Sequence, residues 1–317
     1  MAITGTGTQE DPYLVHSYSE LKTVTTDNSY CPQYSHRYIA LDADINCNDY
    51  GVEFEWETIA LGHDSRGFTF DLNEHTIKNV MVKLNNCLFD ASYNGSNVYG
   101  AWYADFIGNG KLLNVFSLTN STAYLIKGRG AANATISNLS MSVNVGQDSR
   151  GVFRDTKLNA VSCYIESGSF TVTTDVNALI LSFSSGGDQN SDARIKNCDF
   201  YINISNLKAP LYSAYNQSER LVAIDSRFRG KASNSSNTSI EFMACGYISN
   251  CVMNIDFSGF HTSNGKISRY NCSGVINTDI TPLTISRSNM TQVTSSEIIN
   301  GDALRAKGFT VVNVVGG

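Results

Sequence analysis

One short pattern of apolar and polar positions recurs along the chain. It begins with an aliphatic residue, continues with a small polar pair that often ends in Asn, and then alternates. It reads Ile77-Lys78-Asn79-Val80, Leu113-Asn114-Val115, Ile136-Ser137-Asn138-Leu139, Leu158-Asn159-Ala160-Val161 and Ile195-Lys196-Asn197-Cys198. It returns as Leu221-Val222-Ala223-Ile224, Ile248-Ser249-Asn250-Cys251, Ile267-Ser268-Arg269 and Ile285-Ser286-Arg287. A second apolar phrase precedes many of these, at Phe106-Ile107-Gly108, Tyr124-Leu125-Ile126, Gly151-Val152-Phe153, Leu179-Ile180-Leu181, Pro210-Leu211-Tyr212 and Phe242-Met243-Ala244. Steps of about 20 to 27 residues, each holding two or three short strands, predict a solenoid of parallel strands.

In such a coil each strand pairs with its equivalent one turn above and below, about 4.8 Å away. Like residues then stack, the inward positions form apolar columns, and amides repeated at one corner hydrogen-bond along the axis. The fold class expected is all-β, a right-handed parallel β-helix with short helical caps at both ends. The caps answer a physical need, because an open solenoid exposes edge strands. Ser17-Tyr18-Ser19-Glu20 is a capping-box pattern predicting a helix through about Thr25, and Thr294-Ser295-Ser296-Glu297 repeats it. Gly308 stands where that second helix would stop, and Phe309 to Val315 read as a last strand. The expected division is 1–60 for the N-terminal cap and first strands, 61–293 for the coils, and 294–317 for the C-terminal helix and strand.

Several segments resemble right-handed parallel β-helix proteins of bacteria and phages. Gly5-Thr6-Gly7 through Asp11-Pro12-Tyr13-Leu14-Val15, then Ser17 to Leu21, resembles their opening. Tyr38 to Ile45 resembles their first strand pair, and Phe68 to Asn79 the turn that starts their coil, departing at Leu72 and Glu74 where the family prefers Gly. The tail, Val293 to Phe309, is similar to the ending of β-helix proteins encoded by phages of gut bacteria. The resemblance implies a virion protein of tailspike, fibre or capsid-decoration type, made in the host cytoplasm. It implies other virion proteins as partners, a host surface glycan as a further partner, and a homotrimer as the common assembly of such tailspikes.

Composition fits this picture. The 317 residues include 37 Ser, 32 Asn and 24 Thr against 16% charged residues, so short polar groups coat the surface where a helical protein would carry Glu, Lys and Arg. A net charge of −6 with no Lys/Arg cluster argues against nucleic acid as a partner. No stretch of 18 apolar residues predicts a membrane span. The opening Met1 to Gly7 lacks the charged head and apolar middle of a secretory signal, so export by that route is not expected.

Candidate chemistry is sparse. The eight cysteines include no Cys-x-x-Cys pair. Cys198 and Cys251 stand three residues after their aliphatic markers, Cys163 and Cys272 five after theirs, which predicts buried stacked thiols in preference to disulfides. The five histidines, His16, His36, His63, His75 and His261, have no ligand spacing; no metal and no cofactor are expected. Asp199 and Asp225 each lie four residues past a marker, so they would stack one strand spacing apart, the separation of a retaining glycosidase pair. Arg227 and Arg229 would then hold an acidic sugar. The competing reading makes both aspartates solvated coil residues, with Asp225 paired to an arginine. Tyr93, Tyr99, Trp102 and Tyr103 crowd one long insertion and are candidates for stacking on sugars or anchoring a partner, unless they fold back on the coil. The function expected is a non-enzymatic virion component with a rigid assembly or glycan-contacting surface. The alternative is a tailspike-like polysaccharide depolymerase or glycan-binding receptor protein, whose enzyme activity would be glycoside hydrolysis.

Overall fold

Single residues in the left-handed region turn the chain at one corner of successive coils. Asn109, Asn138, Ala160, Asn197, Asp225 and Asn250 all have φ between 50° and 53°, and they fall in register from coil to coil. An αL residue bends a strand without breaking its pairing for long, and Asn and Asp tolerate that conformation better than other non-glycine residues. Their amides also serve the axis. Asn138 Nδ2 donates to Asn109 Oδ1 (3.3 Å), Asn109 Nδ2 to Asp71 Oδ2 (3.3 Å) and Asn250 Nδ2 to Asp225 Oδ1 (2.5 Å). A second short ladder runs from Asn114 to Asn79 (3.0 Å) and from Asn79 to Asn46 (2.9 Å).

The computed structural model describes residues 3–51, 53–63, 66–83, 86–91, 104–117, 124–128, 135–146, 150–168, 170–171, 178–183, 193–214, 221–234, 240–241, 246–260, 265–266, 272–277, 279, 288–298, 302 and 306. Within them the chain forms an all-β parallel β-helix. The largest sheet joins 18 strands, wrapping around the αL corner, and a sheet of six strands faces it. Short paired strands, such as Phe170–Thr171 with Leu207–Lys208, add a further side. All pairings are parallel except the small hairpin of Gly62–His63 with Arg66–Asp71, and an isolated bridge between Thr4 and Leu14.

The core lies inside the coil. Ile136, Leu158, Ile195, Ala223 and Ile248 form one fully buried column. Met141, Cys163, Phe200, Phe228, Met253 and Ile276 form another, in which the Phe200 and Phe228 rings stack at 5.6 Å. Toward the N-terminal end Phe70, Phe89 and Phe106 pack ring on ring, and the buried Trp56 donates its indole N–H to the Leu88 carbonyl. The second apolar phrase supplies the six-stranded sheet: Ile126, Phe153, Leu181 and Tyr212 are in register. Phe106 belongs instead to the large sheet, opposite Phe70, and Phe242 to Ala244 lie outside the described residues.

The markers depart from the sequence expectation in three places, one being that Leu112 continues into Met141 and not into Ile136. The partner of Ile77 is Leu112, not Leu113, and the partner of Ile195 is Ala223, not Leu221. The small Ala223 holds the aliphatic position of that coil; separate register irregularities lie between Leu221 and Ala223 in the pairing with the next coil, and between Met141 and Val143.

Both capping boxes build helices. Ser17 Oγ accepts from Glu20 N and begins the helix Tyr18–Thr26, whose Tyr18, Leu21, Val24 and Thr25 are buried. Thr294 and Glu297 exchange both bonds of the reciprocal box, at 2.8 and 3.3 Å, and begin the helix Ser295–Ile298. Ile298 joins Val252, Val275 and Val293 in a small buried cluster separate from the main core. Gly308 and the segment Phe309 to Val315 lie outside the described residues.

Six cysteines are described as free and buried: Cys31, Cys47, Cys87, Cys163, Cys198 and Cys251. Cys198 and Cys251 share a column with Ser226 between them, and both thiols donate to the carbonyl two residues earlier. Cys272 pairs with Ser288 and does not share the column of Cys163, which continues through Phe200. Burial pushes the thiols of Cys47, Cys87 and Cys198 up to about 12. These three should therefore resist alkylation near pH 8 in the native protein and label only on unfolding, as mass mapping would read; prompt native labelling would contradict their burial. Replacing Asn79 by Ala removes both a ladder amide and an αL-tolerant residue, and should cost about 2 kcal/mol in urea unfolding. An unchanged midpoint would show that the corner amides do not hold the coils.

Candidate functional site

The outward face of the large sheet carries chemistry in columns, because the pleat sends alternate residues out and the parallel register repeats them. One outward column runs Ser140, Ser162, Asp199, Arg227 and Val252. Its neighbour, two residues further along each strand, runs Ser142, Tyr164, Tyr201, Arg229 and Asn254. A third runs Met81, Phe116, Asn144, Glu166, Asn203, Lys231 and Asp256.

Asp199 is the electrostatic hub. Arg227 reaches it with Nε (2.9 Å) and Nη2 (2.5 Å), and Arg229 with Nε (3.1 Å) and Nη2 (3.0 Å). Burial alone would raise this carboxyl; the hydrogen bonds of Arg227 and then Arg229 outweigh it and hold the group below its ordinary value of 3.8. Every acceptor direction of the carboxylate is engaged by a fork-shaped donor, an arrangement suited to fixing two guanidiniums.

The expected stacking of Asp199 on Asp225 does not occur. Asp199 is in register with Arg227, and Asp225 takes the αL corner position opposite Asn197. Ala223, not Leu221, stands in the column of Ile195, which puts Asp225 two positions from where the marker spacing placed it. There it accepts the Asn250 amide as part of the corner ladder. The two carboxylates thus lie on different parts of the coil and do different structural work. Tyr93, Tyr99, Trp102 and Tyr103 lie outside the described residues.

A different aromatic group occupies the outward face. Tyr164 and Tyr201 stack with ring centroids 5.0 Å apart and planes 12° from parallel. The Arg229 guanidinium lies over the Tyr201 ring at 5.3 Å, so the order along the axis is cation, ring, ring. On its other side Tyr164 is in register with Ser142, whose side chain is too short to cover a ring, and Tyr164 stays 38% exposed. The sequence carried a signal for this pair. Tyr164 and Tyr201 stand at the same offset from Leu158 and Ile195, and past the αL corner, which reverses the pleat, that even offset places both on the face opposite the core.

Beside the tyrosines a polar cleft of about 630 Å³ follows the αL corner. Asp71, Glu74, Asn109, Lys111, Asn138 and Ser162 line it, and Ser162 is two residues from Tyr164 on the same strand face. Among the described residues no group of three His, Cys, Asp or Glu side chains is placed to hold a metal ion, and no helix is long and apolar enough to cross a membrane. His75 contacts Asp44 at 3.4 Å in the turn before the first ladder, a structural position.

No protein-family model matches the chain, and no curated protein matches it. Among solved structures it is similar to a putative immunoglobulin A1 protease from Bacteroides ovatus, at 14% identity and a TM-score of 0.40, over 96% of this chain and 90% of that one. A likeness at that level carries no functional argument, and the fold stands on the strand register.

The Asp199 cluster makes a stability prediction with a sign. A depressed carboxyl contributes stability that is full above its ordinary 3.8 and is lost as pH falls through the lower folded value. Asp199→Asn leaves two half-buried guanidiniums without their counter-charge and should cost about 2 kcal/mol at neutral pH. The deficit should shrink in high salt and in acid below the ordinary carboxyl range. A deficit independent of both pH and salt would mean that packing, not charge, holds this cluster.

Proposed function

We propose that this chain is a non-enzymatic β-helix of a phage virion whose outward sheet face contacts a glycan. The observation that carries the glycan reading is the Tyr164–Tyr201 stack, backed on one side by Arg229 and left open at Tyr164. An aromatic face held rigidly by the strand register is a platform for the apolar face of a sugar ring, and its rigidity lowers the entropy cost of binding. The polar cleft beside it offers hydrogen-bonding groups for hydroxyls. The virion placement is supported by the resemblance of the opening, coil-starting and closing segments to phage β-helix proteins.

The reading without turnover is favoured over hydrolysis by the state of the two carboxylates. Asp199 is consumed by two arginines and Asp225 by a ladder amide, so neither is free to donate a proton to a leaving group or attack a sugar. Binding to an array of bacterial capsular and O-chain polysaccharides should therefore appear without release of reducing ends, and Tyr164→Ala should weaken it at least about ten-fold. A blank array would overturn the glycan reading. Product release lost in Asp199→Ala or Asp225→Ala would overturn the absence of catalysis.

A further inference from the structure

The corner ladder breaks at Ala160, and again at Asp225, which has no amide to give to Asn197. From Asp71 through Asn109 to Asn138 each amide donates to the residue one coil before it. The next corner position is Ala160, which has no amide to give. Asn138 Oδ1 is therefore left without a donor from the following coil, and Asn197, whose partner in the ladder would be residue 160, turns its Nδ2 to Asn159 Oδ1 at 3.4 Å. The cleft ends at this gap.

The backbone marks the same place. Among the described residues three that are neither Gly, Asn nor Asp adopt positive φ: Tyr34, Glu74 and Ala160. Two of the three, Glu74 at 68° and Ala160 at 53°, line this cleft. An L-residue with a Cβ pays about 1 kcal/mol in that region, while Asn at 160 would relieve the strain and complete the ladder. Strain kept where a better residue fits both locally and axially points to a use for the empty space.

We infer that the gap at Ala160 is a subsite for one hydroxyl-rich sugar unit, an inference that rests on the glycan reading of this face and extends it. The chemistry is that of a polyol site. Asn138 Oδ1 and the Glu74 carboxylate accept, Lys111 Nζ donates, and the Ser140 and Ser162 hydroxyls do either. Among the described residues neither Glu74 nor Lys111 has an ion-pair partner, so both remain available to a ligand. The volume falls within the range of about 300–1,000 Å³ usual for small-molecule sites. The Ala160 methyl gives the floor that an asparagine would fill. Tyr164, one strand position pair beyond Ser162, then receives the neighbouring unit of the same chain.

The test compares Ala160→Asn with Ala160→Gly. The first fills the gap and restores the rung; the second relieves the backbone strain and leaves the gap open. Methyl glycosides of glucose, galactose and N-acetylglucosamine, added at millimolar concentration, should shift the amide NMR signals of Gly110, Asn138 and residue 160 in wild type and Ala160→Gly. Those shifts should vanish in Ala160→Asn, whose Tm should rise by about 2 °C. Tyr164→Ala should keep the cleft shifts. The absence of cleft shifts with all three glycosides, or their persistence in Ala160→Asn, overturns the subsite. A blank polysaccharide array with cleft shifts present overturns the reading of the whole face and leaves the subsite standing. Polysaccharide binding that needs Tyr164 but ignores Ala160→Asn does the reverse.

Discussion

Everything in this molecule depends on coils lying in register over one another. A parallel ladder fixes the axial spacing, but it does not by itself stop one coil from slipping along the next, since each backbone group would simply find a new partner. The αL corner removes that freedom. Residues held at φ near 50° stand over one another from coil to coil, so aligning corners aligns everything between them. The amide ladders add a bond that exists only at the correct register. The inward columns then bury Ile on Leu and Phe on Phe, and burial makes slippage by one residue prohibitive because it would turn the core face outward.

The same constraint builds the outer surface. Once register is fixed, residues far apart in sequence become neighbours at strand spacing, and three outward columns acquire characters of their own. The stacked tyrosines and the pair of guanidiniums on Asp199 are each assembled from successive coils, with no loop involved. At the C-terminal end, Val252 and Val275 are buried together with Val293 and Ile298. The exposed chemistry is thereby concentrated on the middle coils, where Tyr164, Tyr201 and the cleft lie side by side.

How far this could be read from the sequence follows from the same physics. The column Ile136, Leu158, Ile195 was legible because an aliphatic residue, one polar residue and a corner Asn or Ala repeat without interruption there. The stacked amides were legible for the same reason. The columns are hidden where the aliphatic position is taken by a small residue and a larger aliphatic one stands two residues earlier, as Ala223 and Leu221 do. The spacing from Leu221 therefore sets Asp225 above Asp199, whereas the register sets it above Asn197. The aromatic platform was present in the spacing of Tyr164 and Tyr201, but the two rings come from different coils and meet only through strand register, unlike aromatics close in sequence such as Tyr99 to Tyr103. The gap at Ala160 was visible as a repeat whose corner carries no polar side chain, but only the geometry of the neighbouring rungs shows that an acceptor is left open there.

Disulfide trapping on the exposed face reads the register most directly. Ser140 and Ser162 are partners in adjacent coils, both exposed, and cysteines placed at both positions would have Cα atoms within the span a disulfide closes. Cysteines at Ser140 and Tyr164, offset by one pleat repeat, would stand about 8 Å apart, beyond that span. Oxidation should therefore cross-link the first pair readily and the second not at all, with peptide mapping locating the bond. Cross-linking of the second pair in preference to the first would contradict the stacking from which both the core and the outward site are derived.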